Sequence, residues 1–522
     1  MNSLSYQDPK TAIERTIEDL RKRGVRLWAE NGQLRYRALK GALAPAELAS
    51  LREVSGCIVS LLERDGGAQS ATSESARRSS LAHAPVTYSQ LSHWNWYHLG
   101  ERRHIRQIAG ALRLRGCFEI AGLRAALKEV LYRQEALRTQ IVLIQGCPVQ
   151  EISESVAPEL EFCDLTQLRV QSQEVEVRRL IEEAILRQIS VATDPLYAVR
   201  LLKLGERDYV LAATLEHSIA DGFSLAVFLR DLFTAYGQAV RGNACALPEI
   251  GAQLADFARW QNSAERSWLD RHWPYWQAHL AGCSRLRFPA DEPLTAGEHR
   301  GWGCVPFEIN EPLKTSLQSW CRSRHTTLVL SVLSAYAALI VRWCAARDIL
   351  IPYVTDGRTS PRLENTIGGF AASLPLRIAL EEDDSLLDVL ERVKQEYCSA
   401  YEHADAGYID AQTPRPEFMR NASFNWQPTG ARVDISALMG TEREIIAAPV
   451  TFDHPMLRFL ERDTEPATVF VDTDRRVLGS VYFPLNRFSP ATMQRFGRNI
   501  LAFLNALLKQ PGVRVKDVPL MS

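Results

Sequence analysis

The sequence predicts an α/β protein of two lobes, each of roughly two hundred residues, behind a small N-terminal unit. Three observations lead there. Short apolar runs of strand length alternate with amphipathic helical stretches from residue 86 to the end of the chain. A tryptophan-rich stretch, 260–276, divides that series in two. A segment rich in Gly, Ser and Ala, GGAQSATSESARRSSLAHAP (66–85), separates it from the first sixty-odd residues and has the composition of a flexible linker.

Composition narrows the function classes. The charges nearly cancel, 61 basic against 62 acidic, so the global field favours neither nucleic acid nor an anionic membrane. The ten cysteines are scattered singly, with neither metal-site nor disulfide-framework spacing. No metal is expected, and buried thiols suit a reducing compartment. The N-terminus lacks a signal-peptide layout, and no apolar run approaches membrane-spanning length. A soluble cytoplasmic protein is expected.

In the N-terminal unit, Asp8-Pro9 suits a helix N-cap with proline at the first helical position. Ile13, Ile17 and Leu20 share one helical face, and Gly24 ends the helix. The runs 25–29 and 34–38 flank Asn31-Gly32, the strongest short-range hairpin signal. A second helix starts at Pro45. Alternation puts Val25, Leu27, Leu34 and Tyr36 on one hairpin face, and Arg26, Trp28, Arg35 and Arg37 on the other. That second face is either a solvated basic surface or a strand edge that captures an extended acidic peptide.

Beyond the linker, helices are expected over 122–132, 175–188, 224–236, 328–343 and 386–401, with strands over 209–215 and 349–354. The stretch LAATLEHSIADGFS (211–224) holds the chemistry. A buried strand ends in Glu216-His217, and the chain turns through Asp221-Gly222 into a helix. His217 is either a positioned base or a structural hydrogen-bonder. Asp221 doubles as an N-cap, and Gly222 as the glycine of a helix entry. Ser224 sits in GFSLA, which lacks the final glycine of a nucleophile elbow, so its hydroxyl is expected to bond locally. Spacing alone leaves these alternatives open.

A set of motifs in a fixed order adds to that reading. EHSIADG resembles the HHxxxDG core of nonribosomal peptide synthetase condensation domains, which are relatives of chloramphenicol acetyltransferase. TYSQLSHWNWYHL (87–99) resembles the opening motif of those domains, and RQEALRT (133–139) their RHExLRT. DFARWQ (256–261) and YWQAHLAG (275–282) are similar to the stretch bridging the lobes. DGR (356–358), IGGFAASLPLR (367–377) and RNASFNWQ (420–427) are similar to the later motifs. RGVRLWAENGQLRYRALKGALAPAEL in the N-terminal unit resembles the β-hairpin docking domains of the tubulysin type.

The resemblance implies two chloramphenicol acetyltransferase-like lobes forming a V around a central tunnel, with His217 at its middle. The expected division is a docking domain over 1–66, a linker over 67–85, an N-lobe over 86–265 and a C-lobe over 266–522. His217 is expected to act as general base or to position the nucleophile; an imidazole suits proton transfer near neutral pH. The Gly222 N–H is a candidate oxyanion donor. Asp221 is expected to pair with Arg358 across the lobes. Glu216, Ser224 and Asn425 are candidates for lining the tunnel. Arg26, Trp28, Arg35 and Arg37 are expected to bind the docking peptide.

One position departs from the pattern: the first motif histidine is Glu216 here. ExxxxDxxS is one substitution from the DxxxxDxxS of heterocyclisation domains, which lack the histidine kept at 217. Retention of His217, Asp221 and Gly222 argues against a relative that only recruits a partner, and no EGHGR-like stretch marks an epimerase. With no adenylation or carrier segment, the chain reads as a free-standing condensation enzyme. It is similar in architecture to the chain-releasing enzyme of the enacyloxin polyketide synthase. Such an enzyme needs no bound cofactor. An upstream carrier protein, captured through an acidic C-terminal motif, presents the acyl chain on its phosphopantetheine arm. The acceptor is a small amine or alcohol, or a second carrier-bound group.

Overall fold

The computed structural model describes residues 25–30, 33–37, 83–99, 107–154, 158–263, 267–283, 286–291, 301–404, 422–428, 445–450, 465–473 and 475–521. The two helices expected around the N-terminal hairpin, and residues 67–82 of the expected linker, lie outside them. The hairpin itself forms. β1 (Arg26–Glu30) pairs antiparallel with β2 (Gln33–Arg37), Arg26 opposite Arg37 and Trp28 opposite Arg35. Directly opposed residues share a face, so these four positions stand together as alternation requires. Arg35 and Tyr36 are exposed and Val25 is buried.

The N-lobe is built on a five-stranded sheet of β4 (Gln107–Arg115), β7 (Leu160–Asp164), β8 (Tyr197–Gly205), β9 (Asp208–Glu216) and β14 (Ile446–Pro449), in the order β14-β4-β9-β8-β7. Its central strand, β9, is buried from Tyr209 to Glu216 because helices cover both faces. Val210 and Ala212 pack with Val177, Ile181 and Ile185 of α3 (Val170–Leu186). Tyr209, Leu211, Ala213 and Leu215 join the larger core, with Leu127 of α2 (Ile120–Arg133) and Phe228 and Leu232 of α4 (Gly222–Ala239). The period-2 alternation of a strand thus feeds two separate cores.

A three-stranded sheet flanks this one: β3 (His83–Pro85), β6 (Cys147–Ile152) and β5 (Thr139–Ile144), ordered β3-β6-β5. The expected linker is therefore too long at its C-terminal end. Residues 83–85 are a strand, with Ala84 paired to Gln150, and α1 (Tyr88–Leu99) follows.

Two helices, α5 (Leu254–Gln261) and α6 (Ser267–Leu280), lead to the C-lobe. Its sheet contains β10 (Trp302–Ile309), β11 (Asp348–Thr355), β12 (Ala372–Ala379), β13 (Ser423–Pro428), β15 (Ala467–Asp472) and β16 (Val477–Pro484), ordered β10-β16-β15-β13-β11-β12. After α7 (Glu311–Ser323), α8 (Leu328–Cys344) packs on it and is buried from Leu328 to Ile340; a run of that length buried on every side, with only Ser331 and Ser334 polar, is a core helix. The helices α9 (Leu386–Glu402) and α10 (Pro490–Lys509) complete the layer. Among the described residues, no single helix is long and apolar enough to cross a membrane.

The expected boundary at 265/266 also needs correction. β14 comes from the second half of the chain, yet it pairs with β4 of the N-lobe, Ile446 opposite Arg115 and Pro449 opposite Leu112. No local signal in four residues specifies a partner more than three hundred positions away.

Candidate functional site

The site forms where β9 ends and α4 begins. Glu216 closes the strand, its N–H donating to Leu196 O at 2.8 Å, and the Ile219 N–H turns back onto Glu216 O at 3.1 Å. His217 is half-buried at the head of this turn. Its Nδ1 is buried and has no hydrogen-bond partner among the described residues. The ring of His93 on α1 stands against it, with centroids 4.8 Å apart.

Asp221 caps α4: Oδ1 accepts from the Ser224 N–H and the Ser224 hydroxyl, both at 2.8 Å. Its other oxygen is turned to the C-lobe. Oδ2 accepts from Arg358 Nη1 at 2.9 Å and from the Phe370 and Ala371 N–H groups at 3.1 Å each. Asp221 and Arg358 are both essentially inaccessible, 1% and 0% exposed, so this is a buried ion pair across the lobes. Burial pushes the Asp221 carboxyl up, but the Arg358 charge and hydrogen bond, with those from Ser224, hold it below the ordinary carboxylate range. The guanidinium is also sandwiched, its central carbon 4.4 Å from the Phe223 ring centroid and 4.7 Å from that of Phe370.

Ser224 and Glu216 are both buried and held by hydrogen bonds. The Ser224 hydroxyl is fully buried, 2.8 Å from Gly368 O, and it accepts from Gly368 N–H at 3.0 Å and Arg358 Nη2 at 3.1 Å. It ties the two lobes together rather than bonding only within its own helical turn. Glu216 is buried, and its carboxylate accepts from the Ser218 N–H at 2.6 Å and from the Ser218 hydroxyl. That makes it a clamp on the His217 turn. Asn425 lies half-buried on β13, opposite Val354 of β11 and Val469 of β15. Its neighbours Phe424 and Trp426 stack on the other side of the strand, where Tyr336 of α8 packs.

Gly222 is the first residue of α4 and is exposed. It has no positive φ, and a Cβ built on it would meet nothing within 4 Å. Helix entry therefore does not require the glycine; it leaves open space before the first turn, where backbone N–H groups have no intrahelical acceptor. Gly369 is different. A Cβ there would lie 3.1 Å from His217 O and 3.5 Å from Ser218 O, so only glycine lets this C-lobe segment come so close to the His217 turn. Gly369→Ala is expected to push that turn aside by a few tenths of an ångström and to lower turnover roughly tenfold to 10²-fold, with a small change in melting temperature. Steady-state kinetics beside a thermal melt checks this.

Other residues of the seam were not singled out from sequence. Gln134, within RQEALRT, is fully buried; its Oε1 accepts from the Ile367 N–H at 3.0 Å and its Nε2 donates to Asn365 O at 2.8 Å. Thr366 Oγ1 donates to Ala252 O at 2.6 Å. The signal was present for Gln134 and for His93, since both are polar residues inside recognised motifs. Their partners lie too far along the chain for spacing to reveal.

Comparisons with known proteins agree over most of the chain. The family model described as Condensation domain matches residues 80–522, and the one described as TubC N-terminal docking domain matches residues 13–63. Chondramide synthase of Chondromyces crocatus is 28% identical over 447 residues, which is 85% of this chain and 11% of that protein. The phosphinothricin tripeptide synthetase PhsC of Streptomyces viridochromogenes is 26% identical over 451 residues, 84% of this chain and 40% of its own length. The chain thus spans less than half the length of either relative.

Solved structures share the fold. The X-domain in complex with OxyB, from teicoplanin biosynthesis, superposes with a TM-score of 0.69 at 23% identity, over 85% of this chain and 97% of that one. The SgcC5 protein of Streptomyces globisporus gives 0.65 at 24%, over 82% and 100%. The first condensation domain of the calcium-dependent antibiotic synthetase, in complex with a substrate analogue, gives 0.67 at 19%, over 85% and 100%.

Proposed function

The chain belongs to the condensation-domain family of nonribosomal peptide assembly lines, and from that premise we propose that it transfers an acyl chain from a carrier-protein thioester to an amine or hydroxyl acceptor. The observation that carries the reading is the turn from His217 to Gly222. It sets a half-buried imidazole before an open helix N-terminus and anchors both through a buried interlobe ion pair. In the reaction, the acceptor's nitrogen or oxygen attacks the acyl carbonyl carbon and its proton passes to His217. The oxyanion is met by N–H groups at the start of α4, Gly222 foremost. Collapse breaks the C–S bond, and the thiolate of the phosphopantetheine arm takes up the proton. An amide or an ester results, and the chain itself needs no bound cofactor.

A small soluble acceptor, hence chain release, is the preferred reading, with a second carrier-bound acceptor as the variant; the setting is the cytoplasm. The test is a reconstitution. The candidate upstream carrier is loaded with an acyl group, acceptors are added, and the carrier is followed by intact mass. Acceptor-dependent acyl loss is the expected result. Stable acyl-carrier with every acceptor would instead favour a recruiting module.

The N-terminal unit is proposed to supply that carrier. The register sets Arg26 opposite Arg37 and Trp28 opposite Arg35, and those residue types suit an acidic extended peptide at the end of an upstream subunit. Removing residues 1–66 is expected to weaken transfer from the native carrier while sparing a small acyl-thioester mimic, because tethering raises local concentration only for the captured partner. Charge reversal at Arg26 and Arg37 should weaken peptide binding, more so at low salt, as isothermal titration would show. Equal losses for carrier and mimic would refute the docking role.

A further inference from the structure

A working imidazole is ordinarily fixed by a hydrogen bond from one ring nitrogen to a carboxylate or carbonyl. His217 lacks that device: Nδ1 is buried without a hydrogen-bond partner among the described residues. The carboxylates closest to it in sequence are engaged elsewhere. Glu216 holds Ser218, and Asp221 holds Ser224, Arg358 and two amides of the C-lobe. What meets the ring is a second histidine, His93, its centroid 4.8 Å away and its plane tilted by 37°. That separation lies within the contact range of aromatic pairs.

The platform under His93 is itself built. The Thr87 N–H donates to Gln90 Oε1 at 2.8 Å and the Gln90 N–H to Thr87 Oγ1 at 3.0 Å, a reciprocal cap at the start of α1. The Gln90 side chain reaches Gln150 of β6 at 3.2 Å. The Tyr88 N–H and hydroxyl bond to Gln261 of α5 at 3.1 and 3.2 Å. Its own cap and two further elements, β6 and α5, therefore hold the helix that carries His93. Ser89, one turn earlier, approaches the same point: a Cβ on Gly369 would meet Ser89 Oγ at 3.7 Å and His217 O at 3.1 Å.

We propose that His93 is a positioning residue of the His217 site: its ring, anchored through α1, fixes the orientation of the His217 imidazole that a hydrogen bond at Nδ1 does not supply. The proposal deepens the transferase reading and rests on it for its kinetic arm only. A ring face does the orienting, so an aromatic replacement serves where a ringless one does not. Loss of the ring frees the imidazole to occupy other rotamers, which lowers kcat while substrate binding persists.

The test uses the full chain with His93→Phe, His93→Ala and His93→Gln. With a loaded carrier, His93→Ala and His93→Gln are expected to lose roughly 10²-fold in kcat with little change in KM. His93→Phe should stay within about threefold of the parent. In parallel, histidine-labelled protein is observed by NMR, with the His217 ring signal assigned by its loss in His217→Ala. That signal should be single in the parent and in His93→Phe, and broadened or multiple in the ringless variants.

Ringless variants with parental kcat and an unchanged His217 signal would overturn the proposal. So would a His93→Phe variant as impaired as His93→Ala. The two ringless variants differ in polarity, so one reports where the other fails to fold. If the parent itself transfers no acyl group, the transferase reading fails, and the NMR signals alone decide whether His93 orients His217.

Discussion

Replacing His217 by alanine is expected to lower acceptor-dependent turnover of a carrier-bound acyl group by roughly 10²–10⁴-fold, the usual loss when a positioned general base is removed. The fold should survive. His217 is half-buried, has no Nδ1 hydrogen-bond partner among the described residues, and lies in a turn held by Glu216 and Ser218. A stability change within about 1 kcal/mol is therefore expected. Intact-mass measurement of the carrier gives the rate, and a thermal melt gives the control. Acyl loss that needs the acceptor but is indifferent to His217→Ala would sink the assignment of His217 as the base. A kcat unchanged with a raised KM would instead make it a binding residue.

The second large effect concerns stability. Asp221→Asn removes the carboxylate that the buried Arg358 guanidinium faces across the lobes, and Arg358→Met removes the guanidinium that faces the Asp221 carboxylate. Each single substitution is expected to cost roughly 3–5 kcal/mol, the cost of stranding one partner of a buried pair. The double variant Asp221→Asn/Arg358→Met should recover part of that loss, because no charge is then stranded. Urea denaturation of the four proteins closes the cycle. Single variants costing under about 1 kcal/mol would show that the seam's other hydrogen bonds suffice.

The sign of the pH dependence follows from the same pair. The folded Asp221 carboxyl lies below its ordinary range because Arg358 and Ser224 outweigh the opposing effect of burial. A depressed folded value means that the unfolded chain binds this proton more tightly. The contribution is fully present above the unfolded value, near ~3.9, and is lost as pH falls through the folded one. Asp221→Asn should therefore flatten the acid limb of the stability curve below about pH 4.

Much of this arrangement was legible in the sequence, and the limits have physical causes. Asn31-Gly32 announced the hairpin because an Asn-Gly pair between two alternating runs is a local signal, and the register then set Arg26 opposite Arg37 and Trp28 opposite Arg35. The strand into His217 and the helix after Asp221 were readable because burial on two faces writes a continuous apolar run and an N-cap writes its own residue type. What failed was long-range. Ser224 bonds locally to Asp221 as expected, but nothing near it in sequence names Gly368, which lies 144 residues away. Alignment of Glu216 with a motif histidine says nothing of where a carboxylate will fold, and its bond to Ser218, two residues on, was not foreseen. The strand 83–85 was lost to a linker because three residues cannot display periodicity, and its pairing with β6 is tertiary.

The strand β14 makes the first lobe's sheet depend on the second half of the chain. The first lobe's sheet is finished only after most of the second has been synthesised, so a nascent N-lobe waits with β4 as a bare edge. An edge of that kind is a template for pairing with other chains. A cut at residue 265 would consequently part β4 from its neighbour strand β14. A donor of lobes for chimeric assembly lines would have to carry residues 445–450 along with the N-lobe, or graft a strand in their place.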